Sequence, residues 1–429
     1  MGLCARVSPA PATPPWTDLA GYRDALHARG IGINAAPLVG HSALRGAALG
    51  FDDRPATADE LRAMRRLVAE ALAQGAFGLS TGLTLPPSAY GDTAEVIALC
   101  EEVARVPGRL YCSHVRDRTP DGLSGQEEAL EIARRAGVPL QLAHMAVNDP
   151  RRWGSAGEVM ANLERLASSG EVDVRCDVYP YAASSSLFSQ VLPRWSQSGG
   201  RFATVERLRD PATRARIREE MLAGGLMGSG SPWLWDRLMV CRLVDDELRQ
   251  YEGMHFAAIG ERLGMEPIDA ALHLMERDAG QMAIIFFYRT EEDMRVFLSH
   301  PLVMVGSDGD ALTREGPLGE GKPHPRSYGA ASRVLGRYVR DVPTLTLQQA
   351  VHKMTGQVAA RLGLKDRGLL REGYAADVTI FDPALIQDRA EFVEPHQYAA
   401  GIPYVLVNGA LSVDRGEPTT TLAGRVLAA

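Results

Sequence analysis

The stretch GAFGLSTGLTLPPSAYGDTAEVIALCEEVARVPGRLYCSH, residues 75–114, holds the pattern from which the rest of the chain can be read. Two short apolar runs, GLSTGL and RLYCSH, bracket TAEVIALCEEVARV (93–106), whose apolar side chains recur at helical spacing. Short apolar runs on either side of an amphipathic helix suit parallel strands buried on both faces. The alternation extends in both directions. Upstream, IGINAAPLVGH (31–41) precedes TADELRAMRRLVAEALAQGA (57–76). Downstream come SGQEEALEIARRAG (124–137), PLQLAH (139–144), SAGEVMANLERLASSG (155–170) and VDVRCDVYPY (172–181). Three of these helices open on a hydroxyl residue followed three positions later by Glu: Thr57 and Glu60, Ser124 and Glu127, Ser155 and Glu158. That is the pattern of a capping box, in which the two side chains satisfy each other's orphan backbone donors. So many consecutive strand–helix units predict a (β/α) barrel in preference to an open sheet.

After Tyr181 the rhythm breaks until LVMVGSDGD (302–310) restores a buried strand. The intervening segment, about 187–295, is expected to be an insertion or lid on the active-site face, because long excursions between barrel strands gather there. Past residue 364 the text changes to short β runs separated by Gly and Asp turns, GLLREGYAADVTIFDP and YVLVNGALSVDRGE. The expected organisation is therefore a barrel over 1–364 and a small β subdomain over 365–429.

The net charge of −7, without long single-sign blocks, argues against a nucleic-acid partner. No apolar run approaches the length that spans a bilayer, and the N-terminus lacks the layout of a signal peptide, so a cytoplasmic location is expected. Five scattered cysteines do not make a disulfide framework.

Three polar residues stand where apolar runs end: His114 in RLYCSH, His144 in PLQLAH and Asp308 in VMVGSDGD. Strand C-termini of a barrel open onto one face, so these residues should converge there. Imidazole and carboxylate are ligands that Zn²⁺ takes at catalytic sites.

The runs LVGHSALR, GAFGLSTGL, YCSHVRD, DVYPYAASS, GSDGDAL, KPHPRSYGAASRVLGRYVRD, KMTGQVAARLGL and GYAADVTIFDP, in this order, resemble the D-aminoacylase (N-acyl-D-amino-acid deacylase) family of the amidohydrolase superfamily. The resemblance covers nearly the whole chain, and its most specific part is HPRSYG followed by RVLGRYVR. It implies a metal-bearing (β/α)8-type TIM barrel with a small β domain, and hydrolysis of the amide of N-acyl-D-amino acids. GLCARVSPAP (2–11) is similar to the family's Gly-Asn-Cys-Gly segment, with Leu3 and Ala5 in place of Asn and the second Gly. Carried over by position, Cys4, His114 and His144 would ligate one tightly held zinc. Asp308 would be the general base and would otherwise help hold a weaker metal. Arg326 would bind the substrate α-carboxylate, and Tyr179 would offer its hydroxyl to the substrate.

This sequence departs from the family pattern at several points. The His-x-His of a first barrel strand is absent, so the chain is expected to start near the second strand, with the second metal site lost and an open barrel edge available for self-association. An incomplete, inactive barrel is accordingly one alternative, and a cyclic-imide hydrolase of the same superfamily is another. HPRSYG speaks against the imide reading, since an α-carboxylate contact has no use there. Where the family often has a Lys two residues past the second histidine, this chain has Ala146. The LPRW run (192–195) reads as an apolar wall and favours neutral or hydrophobic D-amino acids over D-Asp or D-Glu.

Overall fold

The alternation becomes a parallel sheet whose strands follow one another in chain order. The computed structural model describes residues 16–116, 124–168 and 170–429. Strands β1 (Val39–Gly40), β2 (Gly78–Gly82), β3 (Leu110–His114), β4 (Leu140–Leu142) and β5 (Val174–Val178) pair in sequence, each parallel to the last. The chain then leaves this sheet. β6 (Ser184–Leu187), β7 (Leu238–Arg242) and β8 (Ala283–Phe286) form a separate antiparallel sheet with β8 at its centre. β9 (Val303–Val305) returns to pair parallel with β5. Six parallel strands of the expected (β/α) barrel lie among the described residues. β10 (Val378–Ile380), β11 (Tyr404–Val407), β12 (Ala410–Asp414) and β13 (Glu417–Pro418) make a C-terminal four-stranded antiparallel sheet.

The helices cover the parallel sheet because their apolar residues fall on one side. Ala58–Ala73 buries Met64, Val68 and Leu72, one position per turn, against a core shared with Leu79, Val96 and Tyr111. Its N-terminus forms the expected capping box, with Thr57 N–H donating to Glu60 Oε2 at 2.7 Å and Glu60 N–H donating to Thr57 Oγ1 at 3.3 Å. The helix Ala156–Ser168 is capped differently from the sequence expectation. Asp293, 137 residues on, accepts from the N–H groups of Gly154 and Ala156 at 2.9 Å each, while Glu158 pairs with Arg152 at 2.7 Å. A carboxylate delivered by a neighbouring helix thus takes the first helical N–H and one just before the helix, while the Glu158 and Ser155 N–H groups, the donors of the expected box, bond to the carbonyls of Ser155 and Arg152 at 3.0 Å each.

Between β5 and β9 the chain has its own apolar cluster, including Phe188, Leu192, Leu238, Phe256 and Tyr288. The helix Arg326–Arg333 continues into a π-helix, Val334–Asp341, and three arginines of RVLGRYVR reach from it. Arg333 binds Asp388 at 2.9 Å, Arg337 binds Glu291 at 2.7 Å, and Arg340 donates to the Ile386 carbonyl at 2.7 Å. This motif therefore fastens the segment between the first two strands of the C-terminal sheet to the barrel. No helix among the described residues is long and apolar enough to cross a membrane.

The register sets the level of the strand ends. Gly82 pairs with His114, Ser113 with Leu142, Leu142 with Cys176, and Val178 with Val305. At the other end of β2, Gly78 has φ 149°, and a Cβ there would overlap the Leu110 carbonyl of β3. Gly78→Ala is expected to cost about 3 kcal/mol or more, by strain and by forcing β2 from β3. Urea unfolding of the variant and the parent chain measures it.

Candidate metal centre and substrate face

His114 closes β3, and its Nδ1 lies 2.8 Å from Nε2 of His144, two residues past β4. On its far side, His114 Nε2 lies 2.6 Å from Thr84 Oγ1, which also accepts from Gln190 Nε2 at 3.0 Å. Thr84 thus fixes the plane of the ring and aims Nδ1 at His144. Desolvation, then the neighbouring His144 and Arg289, push the His114 pKa down to about 3, so this imidazole stays neutral under ordinary conditions. Neutral imidazole is the ligating form.

His144 sits at φ 39°, a left-handed conformation uncommon for a residue with a side chain. Asp177, near the end of β5, holds it there. Oδ1 of Asp177 accepts the His144 N–H at 2.8 Å, its main-chain carbonyl accepts the Met145 N–H at 2.8 Å, and Oδ2 accepts Gln141 Nε2 at 2.7 Å. Desolvation, reinforced by Asp308, raises the Asp177 pKa against the pull of these hydrogen bonds.

Asp308, past the end of β9, also has a left-handed backbone, φ 48°. Gly309 follows, and a Cβ there would come within 2.9 Å of Ser327 Cα, so only glycine lets this loop lie against the start of the Arg326 helix. Oδ2 of Asp308 meets Arg326 Nη1 at 2.7 Å. The Arg326 side chain is 10% exposed and its carboxylate partner 40% exposed, so the pair bridges wall and mouth. The preceding histidine explains the HPR motif. His324 Nε2 donates to the Ala183 carbonyl at 3.1 Å, and its Nδ1 accepts the Arg326 N–H at 3.0 Å. Burial, then Arg326, keeps His324 well below its usual pKa and hence neutral. Tyr179 is buried beside these groups, with the guanidiniums of Arg326 and Arg289 each 4.7 Å from its ring centre.

Five of the six residues singled out from the sequence thus lie on one face. His114 and His144 touch each other, while Asp308, Arg326 and Tyr179 form a contiguous second group. Cys4 lies outside the described residues. Among the described residues no three His, Cys, Asp or Glu side chains form a metal-holding cluster, and the two imidazoles are the adjacent pair on this face. Cys112 shares this face, but burial, then Asp177, pushes its thiol up to about 12, which leaves it protonated and a poor ligand. Thr84, Asp177, His324 and Arg289 were not legible as site residues. Of these, Asp177 in DVYPYAASS and His324 in HPR stood in motifs that drew attention.

Beneath the mouth, His41 Nε2 donates to Glu95 Oε1 at 2.7 Å, Arg45 grips both Glu95 oxygens at 2.7 and 2.6 Å, and Ser88 Oγ lies 2.7 Å from His41 Nδ1. Ser88 also accepts the Gly82 N–H at 3.3 Å. The network pins the turn that carries Thr84 to its place beside His114. Burial raises the Glu95 pKa, but the bonds from His41 and Arg45 outweigh it and hold the carboxyl below its usual range.

Comparison with known proteins follows the same lines. The model described as "Amidohydrolase family" matches residues 11–413. The D-aminoacylase of Alcaligenes xylosoxydans xylosoxydans is 35% identical over 409 residues, spanning 95% of this chain and 73% of that protein. The N-acyl-D-glutamate deacylase of Bordetella bronchiseptica, solved with zinc and a phosphonate mimic of the tetrahedral intermediate, aligns with a TM-score of 0.77 at 33% identity, covering 98% of this chain and 77% of that one. A D-aminoacylase crystal structure aligns with a TM-score of 0.79 at 32% identity, covering 99% and 80%.

Arg45→Met leaves Glu95 buried with one partner fewer, and the expected loss is about 3 kcal/mol at neutral pH. Because the Glu95 pKa is lowered in the fold, its contribution exists above the ordinary carboxylate range and disappears as pH falls through its native value. Urea unfolding should show the gap between variant and parent shrinking toward acid pH.

Proposed function

Since the chain belongs to the amidohydrolase family, we propose that it uses zinc to hydrolyse the amide of N-acyl-D-amino acids, releasing a carboxylate and a free D-amino acid. The observation that carries this reading is the 2.8 Å convergence of His114 Nδ1 and His144 Nε2 on the face that also bears Asp308 and Arg326. The two imidazoles would hold a divalent cation together. Neutral, oriented imidazoles fit that ion, and Cys4 is the third ligand in this reading. Zinc, when bound, supplies Lewis acidity toward the scissile carbonyl and lowers the pKa of water.

The chain's own residues do the rest. Arg326 takes the substrate α-carboxylate with its planar fork, and Tyr179 lies beneath it as a rigid platform whose hydroxyl faces the substrate. The incoming carboxylate competes with Asp308 for Arg326. Substrate binding thereby releases Asp308 as the group that accepts a proton from water at Oδ and hands it to the leaving nitrogen. With the α-carboxylate and the carbonyl fixed at two points, the hand of the α-carbon is selected by a third contact, the wall that meets its side chain. The free thiols of Cys100, Cys112 and Cys176 are in keeping with a cytoplasmic setting.

Zinc-loaded protein should hydrolyse N-acetyl-D-methionine and not its L-enantiomer, lose that activity to a chelator, and regain it with zinc. Arg326→Ala should lower kcat/KM on this substrate by roughly 2–5 kcal/mol of transition-state binding. The same change should have little effect on the matching amide without the α-carboxylate; equal losses would make Arg326 structural. Thr84→Val removes the hydroxyl that orients His114, and zinc affinity measured by chelator competition should fall about 10–100-fold.

A further inference from the structure

Asp388 lies between β10 and β11 of the C-terminal sheet, far in sequence from the substrate face, yet its carboxylate is where two groups that build that face meet. Oδ2 accepts Arg333 Nη1 at 2.9 Å and the Tyr181 hydroxyl at 3.2 Å. Arg333 in turn donates from Nε to the Pro180 carbonyl at 2.8 Å, and its guanidinium lies 4.7 Å from the Tyr181 ring centre. One carboxylate and one guanidinium therefore hold the turn 179–181, in which the Tyr181 N–H also donates to the Tyr179 carbonyl at 2.9 Å. The ion pair is largely withdrawn from water, with Arg333 24% and Asp388 13% exposed. Burial works against the Arg333 charge, and the attraction of Asp388 outweighs it.

The helix that carries Arg326 comes equally close. A Cβ on Gly329, the glycine of HPRSYG, would stand 2.6 Å from both Tyr181 Oη and Asp388 Cβ, so a larger residue there must push the three apart. Tyr181 turns its ring edge-on to His324, with centres 5.2 Å apart and planes at 90°, and Phe392, four residues past Asp388, meets the same imidazole at 5.1 Å and 84°. His324 is the group that accepts the Arg326 N–H. Two arms thus run from the segment 388–392 to the substrate contacts. One passes through Arg333 and Pro180 to Tyr179, and the other through Tyr181, Phe392 and His324 to Arg326. Arg337 and Arg340 of the same motif go elsewhere, to Glu291 and to the Ile386 carbonyl.

We infer that Asp388 is a positioning residue for substrate binding: from the C-terminal unit it sets Tyr179 and Arg326 at the spacing that the α-carboxylate requires. This rests on the deacylase reading above. Asp388 acts through Arg333 and Tyr181, and the C-terminal unit is thereby a part of the binding apparatus.

The test uses the zinc-loaded full chain. Asp388→Asn keeps the shape of the side chain and removes its charge. It should raise KM for N-acetyl-D-methionine about 10-fold or more while kcat changes less than about threefold, with a much smaller KM change on the matching amide without the α-carboxylate. Tyr181→Phe takes one hydroxyl from the same carboxylate and leaves the Arg333 pair in place. It should move KM in the same direction by about threefold, and it keeps the test open if Asp388→Asn does not fold. Arg337→Met breaks the neighbouring ion pair of the motif and is the control: urea unfolding should show lost stability in both charge variants, but KM should shift in Asp388→Asn alone. An unchanged KM in Asp388→Asn, equal losses on the two compounds, or the same KM rise in Arg337→Met overturns the proposal and leaves the pair a fastening of the C-terminal unit. Calorimetric titration of D-methionine, the product, reads the same contacts without turnover. A parent chain that hydrolyses neither compound but binds D-methionine with an affinity that depends on Asp388 would refute the deacylase activity and keep the positioning role. Hydrolysis with KM and binding both insensitive to Asp388 would do the reverse, and a parent chain that neither hydrolyses nor binds would overturn both.

Discussion

Everything at the mouth of this molecule depends on parallel strands being in register. A one-residue slip of β4 against β3 would turn the side chains of β4 to the opposite face and carry His144 away from His114. The register is fixed from below, by a continuous apolar core in which Leu79, Tyr111, Leu140, Leu142, Val174 and Val178 are buried. Hydrophobic burial, which has no direction of its own, is thus converted into directed placement through the backbone hydrogen bonds between strands.

Above that level the site is held by polar groups that never meet substrate. Asp177 fixes the backbone of His144, Thr84 orients the ring of His114, and His324 receives the N–H of Arg326. Each acts through another residue. The inserted unit between β5 and β9 contributes in the same manner, since Gln190 bonds to Thr84 and the segment following β8 delivers Arg289 to the face. The barrel supplies ligands at strand ends, and the insertion supplies partners for them.

The legible part of the site was the part written in local pattern. His114, His144 and Asp308 end apolar runs, and that position alone predicts convergence in a barrel. Arg326 and Tyr179 came from the resemblance. Arg289 had no such mark, because only packing brings it over the Tyr179 ring. Thr84 and Asp177 act on residues 30 and 33 positions away respectively. The Ser155 and Glu158 capping pattern failed because its members found other partners: Glu158 pairs with Arg152, and the Ser155 and Glu158 N–H groups bond to backbone carbonyls.

His144 and Asp308 share left-handed backbone, at φ 39° and 48°. That region is tolerated by glycine, asparagine, aspartate and histidine and resisted by β-branched residues. At these two places the main chain therefore filters mutations before chemistry does. Valine, isoleucine and threonine are rejected on steric grounds, and most of the side chains that pass can still offer nitrogen or oxygen to a cation or a proton. Over evolutionary time the accessible neighbours of this site are biased toward altered ligand sets, so a lineage drifting away from its present chemistry has a path to another metal or another substrate that does not first require rebuilding the loops.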